Sequence, residues 1–301
     1  MLKASVIIPV YNDPLRLIRC VDAILATPPT DSFEILVIDN ASDPAWQLPP
    51  RIFQLPQVKV LFEAEPSSYA ARNCGLLAAQ GEVLLFTDSD CIPQPGWLQS
   101  ALDEFERSPQ MDMVAGPIEL FAALPLRPTS AELFDMACGL DQERAVRNSS
   151  AFTANFAMRH SVVRELGGFD GQATSGGDVA FTQRAVAAGF HLGFFPGMCV
   201  RHPARRDLSQ YRRKIRRIVS GAYQLSHHEP RFAEMFAGSG WLRSTLRPLR
   251  TASQILRSER TRQLSVMARC RAIWVLLHNK GYMQWLRLNY RWGRQSEVYR
   301  S

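Results

Sequence analysis

No Cys-x-x-Cys pair occurs in this chain. Its six cysteines, Cys20, Cys74, Cys91, Cys138, Cys199 and Cys270, are widely spaced. That argues against a zinc site or a disulfide framework and fits a reducing compartment. A signal peptide is not expected, because Ser5–Val10 is too short for a secretory apolar core and no cleavage pattern follows it. Long hydrophobic runs are missing as well. The longest late one, Ala272–Leu277, falls far short of the ~20 residues that cross a bilayer. The sequence also has no internal repeats and no low-complexity tract.

Acidic residues are scarce at one end only. Residues 201–301 hold 5 Asp/Glu against 22 Lys/Arg, net +17, whereas residues 1–200 hold 23 against 13, net −10. A basic tail of this kind binds anionic surfaces, either nucleic acid or the cytoplasmic face of a membrane. No recognised nucleic-acid-binding motif accompanies the charge, which disfavours nucleic acid. Leu208, Tyr211, Ile215, Ile218, Val219 and Ala222 recur at helical spacing among Arg212, Arg213, Lys214, Arg216 and Arg217. Trp285, Leu288 and Trp292 repeat the pattern beside Arg287, Arg291 and Arg294. Such faces suit an anionic membrane interface, or they pack on the rest of the chain.

With 301 residues at 46% hydrophobic, the chain makes one large domain or one domain with an appendage. Its first 120 residues alternate strand and helix. Strands are expected at Ala4–Val10, Phe33–Ile38, Val58–Phe62, Val83–Thr87 and Met113–Ile118, and helices at Pro14–Ala26, Ser67–Ala79 and Leu98–Phe105. This alternation implies an α/β fold with a mostly parallel sheet flanked by helices. An irregular stretch over 119–150, helical near Ala131–Ala145, reads as an insertion or flap. Strands at Phe152–Met158 and Phe190–Phe195 complete the core, with a helix after Asp178. The character becomes basic and helical after about residue 205, so the domains are placed at 1–205 and 206–301.

The most informative feature is Asp88-Ser89-Asp90, directly after the apolar run Val83–Thr87. Residues two apart on an extended chain point the same way, so both carboxylates reach one spot beyond the strand's end, where open α/β sheets bind ligands. Two hard oxygen donors there suit Mg²⁺ or Mn²⁺ holding a phosphorylated ligand. With 14 Asp in 301 residues, chance supplies about 0.65 such pairs, so the weight rests on position and companions. Asp39 ends the second strand and belongs on the same sheet edge, or it forms an Asx turn. Asp178 follows Gly176-Gly177 and reads as a helix N-cap or as a site carboxylate. Arg72 is a phosphate contact or a solvated helix position, and Arg205-Arg206 offer the same choice.

The motifs Val6-Ile7-Ile8-Pro9-Val10-Tyr11-Asn12, Val37-Ile38-Asp39-Asn40-Ala41-Ser42, Ala71-Arg72-Asn73-Cys74-Gly75 and Gly81–Asp90 occur in that order. Asn155–Arg159, Gly167-Gly168-Phe169-Asp170 and Gly177-Asp178 follow them. This series resembles the family 2 inverting glycosyltransferases of GT-A fold, over about residues 4–205. The resemblance implies a Rossmann-like GT-A domain that moves one sugar from a UDP-, GDP- or dTDP-sugar to a glycan or lipid-linked acceptor. The setting would be cell-surface polysaccharide or glycolipid assembly, in the cytoplasm or peripherally at the inner membrane face. Pro9, Tyr11 and Asp39 would line the nucleotide pocket. Asp88 and Asp90 would hold ribose and the metal, Asp178 would be the catalytic base, and His202 resembles a histidine that joins the metal. Asn155, Arg159, Phe169 and Asp170 would lie on the acceptor side, or serve structure.

The chain departs from the family where Gly177 replaces the usual Glu before the catalytic Asp. It also lacks the Trp of the processive synthases' Q-x-x-R-W, having Gln210-Tyr211-Arg212-Arg213-Lys214. A nucleotidyltransferase would need a glycine-rich basic loop after the first strand, where Tyr11-Asn12-Asp13-Pro14 stands instead. A non-catalytic nucleotide-sugar or glycan binder at the membrane is the remaining alternative.

Overall fold

Apolar runs bounded by turns form the strands in a computed structural model that describes residues 2–234, residue 252 and residues 265–292. β1 (Ala4–Val10) is buried along its whole length. α1 (Pro14–Ala26) starts at the Asp13 cap with Pro at its first turn and leads to β2 (Phe33–Asp39). β3 (Val58–Phe62), α2 (Ser68–Ala78, capped by the Ser67 side chain) and β4 (Val83–Thr87) follow. After them come β5 (Ile92–Pro93), α3 (Trp97–Arg107), β6 (Met113–Ala115) and β7 (Ile118–Phe121). α4 (Ser130–Cys138), α5 (Gln142–Arg147), β8 (Asn155–Arg159), α6 (His160–Leu166) and α7 (Gly177–Ala187) come next. The series ends with β9 (Leu192–Phe194), β10 (Val200–Pro203), α8 (Leu208–Leu225), α9 (Pro230–Ala233) and α10 (Val266–Arg291).

Seven strands make one sheet in the order β3-β2-β1-β4-β8-β6-β9, and β5, β10 and β7 make a second of three strands. β1 pairs in parallel with β2 and β4, and β9 in parallel with β6. In the large sheet β8 alone is reversed, antiparallel to both β4 and β6. The sheet is therefore mainly parallel. The order reverses at β1, where one crossover leads to β2 and a longer one returns to β4, and such switch points open a crevice at the strands' carboxyl ends. α2 lies against β1 and β2, and Gly75 permits the approach. A Cβ there would stand 2.7 Å from Ile7 Cγ2 and 3.0 Å from Ile38 Cδ1.

Two expected elements are divided. The expected strand over Met113–Ile118 is two strands in different sheets, parted at Gly116-Pro117. The Gly116 Cα passes so close to the Met198 carbonyl that no side chain fits, and Pro117 has no N–H for a ladder. The expected helix over Ala131–Ala145 is α4 and α5, separated where Leu140 takes a φ of 38°. α4 begins in a capping box, in which Thr129 and Glu132 satisfy each other's backbone N–H groups.

The chain divides into two compact units, Met1–Glu119 with Asp141–Gln172 and Gly177–His202, and Leu120–Leu140 with Ala173–Gly176 and Pro203–Ser301. The second unit has its own apolar core, where Phe134 of α4, Ile215 and Val219 of α8, and Val275 and Leu276 of α10 meet. The stripe expected on α8 is thus turned inward, whereas Trp285 of α10 and Trp292 just after it stay more than half exposed. Arg294 lies outside the described residues. Asp135 is fully buried and accepts from Arg205 Nη1 at 2.9 Å and from Lys214 Nζ at 3.4 Å. Burial raises the Asp135 carboxyl, but Lys214 and Arg205 outweigh it and hold it below the usual range. Lys214 is brought down to about 8, by burial first, against the attraction of Asp135. Among the described residues no helix is long and apolar enough to cross a membrane.

Candidate active site

Strand register places the acidic residues. Val10 pairs with Asp39 and Ile7 with Phe86, so Asp88 stands level with Pro9 at the same sheet edge as Asp39. Neighbouring strands lie ~4.8 Å apart, which puts the ends of β2 and β4 about 10 Å apart across β1. The loops after β1 and β2 are tied together, since Asn12 N–H donates to Ser42 Oγ at 3.0 Å and Asp43 N–H to Asn12 Oδ1 at 2.8 Å. Asn12 adopts a φ of 52° to make this junction. Asp39 Oδ1 accepts the N–H of Ser42, three residues on, at 3.0 Å, and so ties down the loop that follows β2. Pro9 is buried inside β1, and Tyr11 is 38% exposed just beyond it.

At the end of β4, one ligand atom each from Asp88, Asp90, Cys91 and His202 falls within a 4.8 Å cluster. His202 reaches it from β10, with Nε2 at 3.5 Å from Asp90 Oδ1. Burial raises the Asp90 carboxyl, countered by His202, while Asp88 adds to the rise. The thiol of Cys91 is held well above its ordinary value by burial and by both carboxylates. Asp88, Asp90 and His202 are the donors suited to a cation that prefers hard or borderline ligands, with the softer Cys91 sulfur beside them. Arg72 of α2 is 3% exposed and pairs with Asp88 Oδ1 through Nη2 at 2.5 Å. Its buried Nε–H has no hydrogen-bond partner.

Asp178 lies in the first turn of α7, and it is 9% exposed. Its Oδ1 accepts from the Tyr69 hydroxyl at 2.9 Å and from the Val179 N–H at 2.9 Å, and its Oδ2 from the Thr153 N–H at 3.2 Å. Thr153 lies two residues before Asn155, which pairs with Thr87, the residue preceding Asp88. The reversed β8 thereby begins where β4 ends, and the anchor of Asp178 stands at the same edge as Asp88 and Asp90. Tyr69 also joins the two groups from the other side, because Arg72 lies 5.5 Å from its ring centre.

Several motif residues serve structure. Asn155 is fully buried and donates to the carbonyls of Pro117 at 2.8 Å and Met198 at 2.7 Å, while its Oδ1 accepts from Trp97 Nε1 at 2.8 Å. Arg159 donates to the carbonyls of Met111 and Phe105. Asn73 grips the backbone of Phe169 in both directions and so clips the Gly167–Asp170 turn onto α2. Arg205 is engaged by Asp135, and Arg206 is exposed. Tyr69, Thr153 and Cys91 are the site residues that sequence reasoning missed. Only Tyr69 had a usable signal, since it lies three residues before Arg72 and shares its helix face.

The sequence profile of glycosyl transferase family 2 matches residues 5–167. The glycosyltransferase AglE of Haloferax volcanii is 34% identical over 226 residues, covering 73% of each chain. The pre-mycofactocin glycosyltransferase of Mycobacterium tuberculosis is 28% identical over 69% of this chain, which spans 44% of that relative's length. Among solved structures, the mannosyltransferase PcManGT of Pyrobaculum calidifontis, in complex with GDP-Man and Mn²⁺, superposes with a TM-score of 0.63 at 16% identity. That match covers 97% of this chain and 88% of the other.

Proposed function

The chain belongs to glycosyl transferase family 2, and from this premise we propose that it moves one sugar per encounter from a nucleoside-diphosphate sugar to an acceptor hydroxyl, inverting the anomeric carbon. The donor is a UDP-, GDP- or dTDP-sugar, and Pro9, Tyr11 and Asp39 receive its nucleoside. Asp88, Asp90 and His202 hold a divalent cation. Two carboxylates with an imidazole fit Mn²⁺ at least as well as Mg²⁺, which prefers oxygen. Bound there, the cation offsets charge on the departing diphosphate. Arg72 turns its unpaired Nε–H to a phosphate oxygen and keeps Asp88 oriented.

Asp178 takes the proton of the acceptor hydroxyl as general base. Because the acceptor attacks from the face opposite the diphosphate, the configuration inverts. The observation that supports this reading is the β4–β8 register, which sets the anchor of Asp178 beside Asp88-Asp90. The acceptor is a glycan or a lipid-linked sugar, in assembly of a cell-surface polysaccharide or glycolipid. α10 supports a peripheral station at the cytoplasmic face of an anionic membrane, since it has no acidic residue and exposes Trp274 and Trp285, with Trp292 exposed at its end.

The test is a thermal-shift panel of UDP-glucose, GDP-mannose and dTDP-glucose, with and without Mn²⁺, on the parent and on Asp178→Asn. One nucleotide should raise the melting point of both proteins, more with Mn²⁺, by mass action. Its turnover should fall about 10²- to 10⁴-fold in the variant, the range for a lost general base. Parent-like turnover in Asp178→Asn removes Asp178 as base, and a panel without any Mn²⁺-dependent shift removes the donor reading.

A further inference from the structure

Tyr69 is almost fully enclosed, and its hydroxyl donates to Asp178 Oδ1 at 2.9 Å. Its ring is fixed on three sides. Phe169 lies 5.9 Å away between ring centres, the Arg72 guanidinium 5.5 Å from the ring centre, and Gly177 closes the third side. A Cβ at position 177 would stand 3.0 Å from both Cδ2 and Cε2 of the ring and 3.1 Å from Cγ, tighter than ordinary van der Waals contact allows. The phenol therefore lies flat against the backbone that carries the carboxylate. Burial, then Asp178, hold this phenol protonated far above its ordinary range, so its O–H is always the donor.

The geometry has a chemical consequence. A carboxylate offers about four lone-pair positions. On Asp178, Tyr69 and Val179 fill two at Oδ1, and Thr153 fills one at Oδ2. One position at Oδ2 is left.

We propose that Tyr69 is the positioning residue for Asp178, that Gly177 is the opening that admits its ring, and that the remaining lone pair of Oδ2 takes the acceptor's proton. This rests on the reading of Asp178 as general base. In the step, the acceptor O–H bond breaks and its proton passes to Oδ2. The acceptor oxygen bonds the anomeric carbon, and the carbon–oxygen bond to the diphosphate breaks, with its electron pair leaving on the diphosphate. Tyr69 touches neither substrate. By occupying Oδ1 it fixes which oxygen faces the acceptor, and through Arg72 its ring adjoins the group that holds Asp88. The acceptor side and the donor side are thus aligned by two residues on one face of α2.

The experiment measures nucleoside diphosphate release, with water as acceptor, from whichever of UDP-glucose, GDP-mannose and dTDP-glucose turns over with Mn²⁺. Tyr69→Phe keeps the ring and deletes the hydroxyl. It should lower kcat about 10- to 100-fold, the range for losing a hydrogen bond to a charged group, and leave donor KM within about twofold. Gly177→Ala, which pushes the ring instead, should lower kcat in the parent background and have almost no further effect in the Tyr69→Phe background. A purely structural role would change KM and melting point together and would make the two losses multiply. Parent-like kcat in Tyr69→Phe while Asp178→Asn is inactive overturns the positioning role alone. Parent-like kcat in Asp178→Asn overturns the base reading on which it stands. If Tyr69→Phe does not fold, parent-like kcat in Gly177→Ala is the overturning result.

Discussion

Replacing Lys214 with methionine should alter how stability depends on pH. Arg205 already pairs with Asp135, so Lys214 is the surplus cation of a buried group. Burial therefore outweighs the attraction of Asp135 and brings the ammonium from 10.5 down to about 8. An unfolded chain keeps the ordinary value. Between those two pH values it binds more protons than the folded chain, so stability rises with pH across the window. In full, the difference between 10.5 and about 8 is worth about 3 kcal/mol, of which about 2 kcal/mol is gained between pH 7 and pH 9.5. Buried thiols such as Cys91 work the other way, since burial raises them and the folded chain then holds the extra proton. Both proteins share those thiols, so their contribution cancels in the difference. Urea unfolding followed by circular dichroism, at pH 7 and pH 9.5, measures parent and Lys214→Met side by side. The parent should gain about 2 kcal/mol on the variant at the higher pH. A parent–variant difference that stays constant within about 0.5 kcal/mol would refute the reasoning.

Three further outcomes are expected. Asp90→Ala should abolish the extra melting-point rise that Mn²⁺ gives to nucleotide binding, and a Mn²⁺ effect of parental size in that variant counts against the metal role. Gly75→Ala adds about 1 kcal/mol of helix propensity but forces a Cβ to 2.7 Å from Ile7 Cγ2, where overpacking costs about 1–3 kcal/mol. A net loss near 1 kcal/mol in urea unfolding is expected, and a more stable variant would show that α2 has room to shift. The intact chain should float with phosphatidylserine vesicles at low salt, several-fold less after Trp285→Ala with Trp292→Ala. An intact chain that stays at the bottom of the gradient ends the membrane reading.

Much of the fold was legible because local and tertiary demands coincide. β1, β3 and β4 were readable to the residue, since each is a short run closed off by turn-formers. The division at Gly116-Pro117 was not readable, because the Met198 carbonyl that forbids a side chain there is 82 positions further along the chain. Asp88-Ser89-Asp90 announced itself by following an apolar strand, and the fold gathers it with His202. The contact of Tyr69 with Asp178 spans 109 positions and leaves no trace in spacing. In the sequence Gly177 looked like a lost acid. Beside the Tyr69 ring it is the space that ring needs.

A strand can slip along its neighbour, and a one-residue slip of β8 would carry the Thr153 amide ~3.3 Å away from Asp178. Asn155 works as a locating pin against that error, because its amide is fastened at once to Pro117, Met198 and Trp97. Asn155, itself fully buried, thus helps the strand ladders keep acids from distant parts of the chain in line. Loosening that pin would leave two carbonyls and an indole N–H without their partner and free the strand that anchors Asp178 to shift.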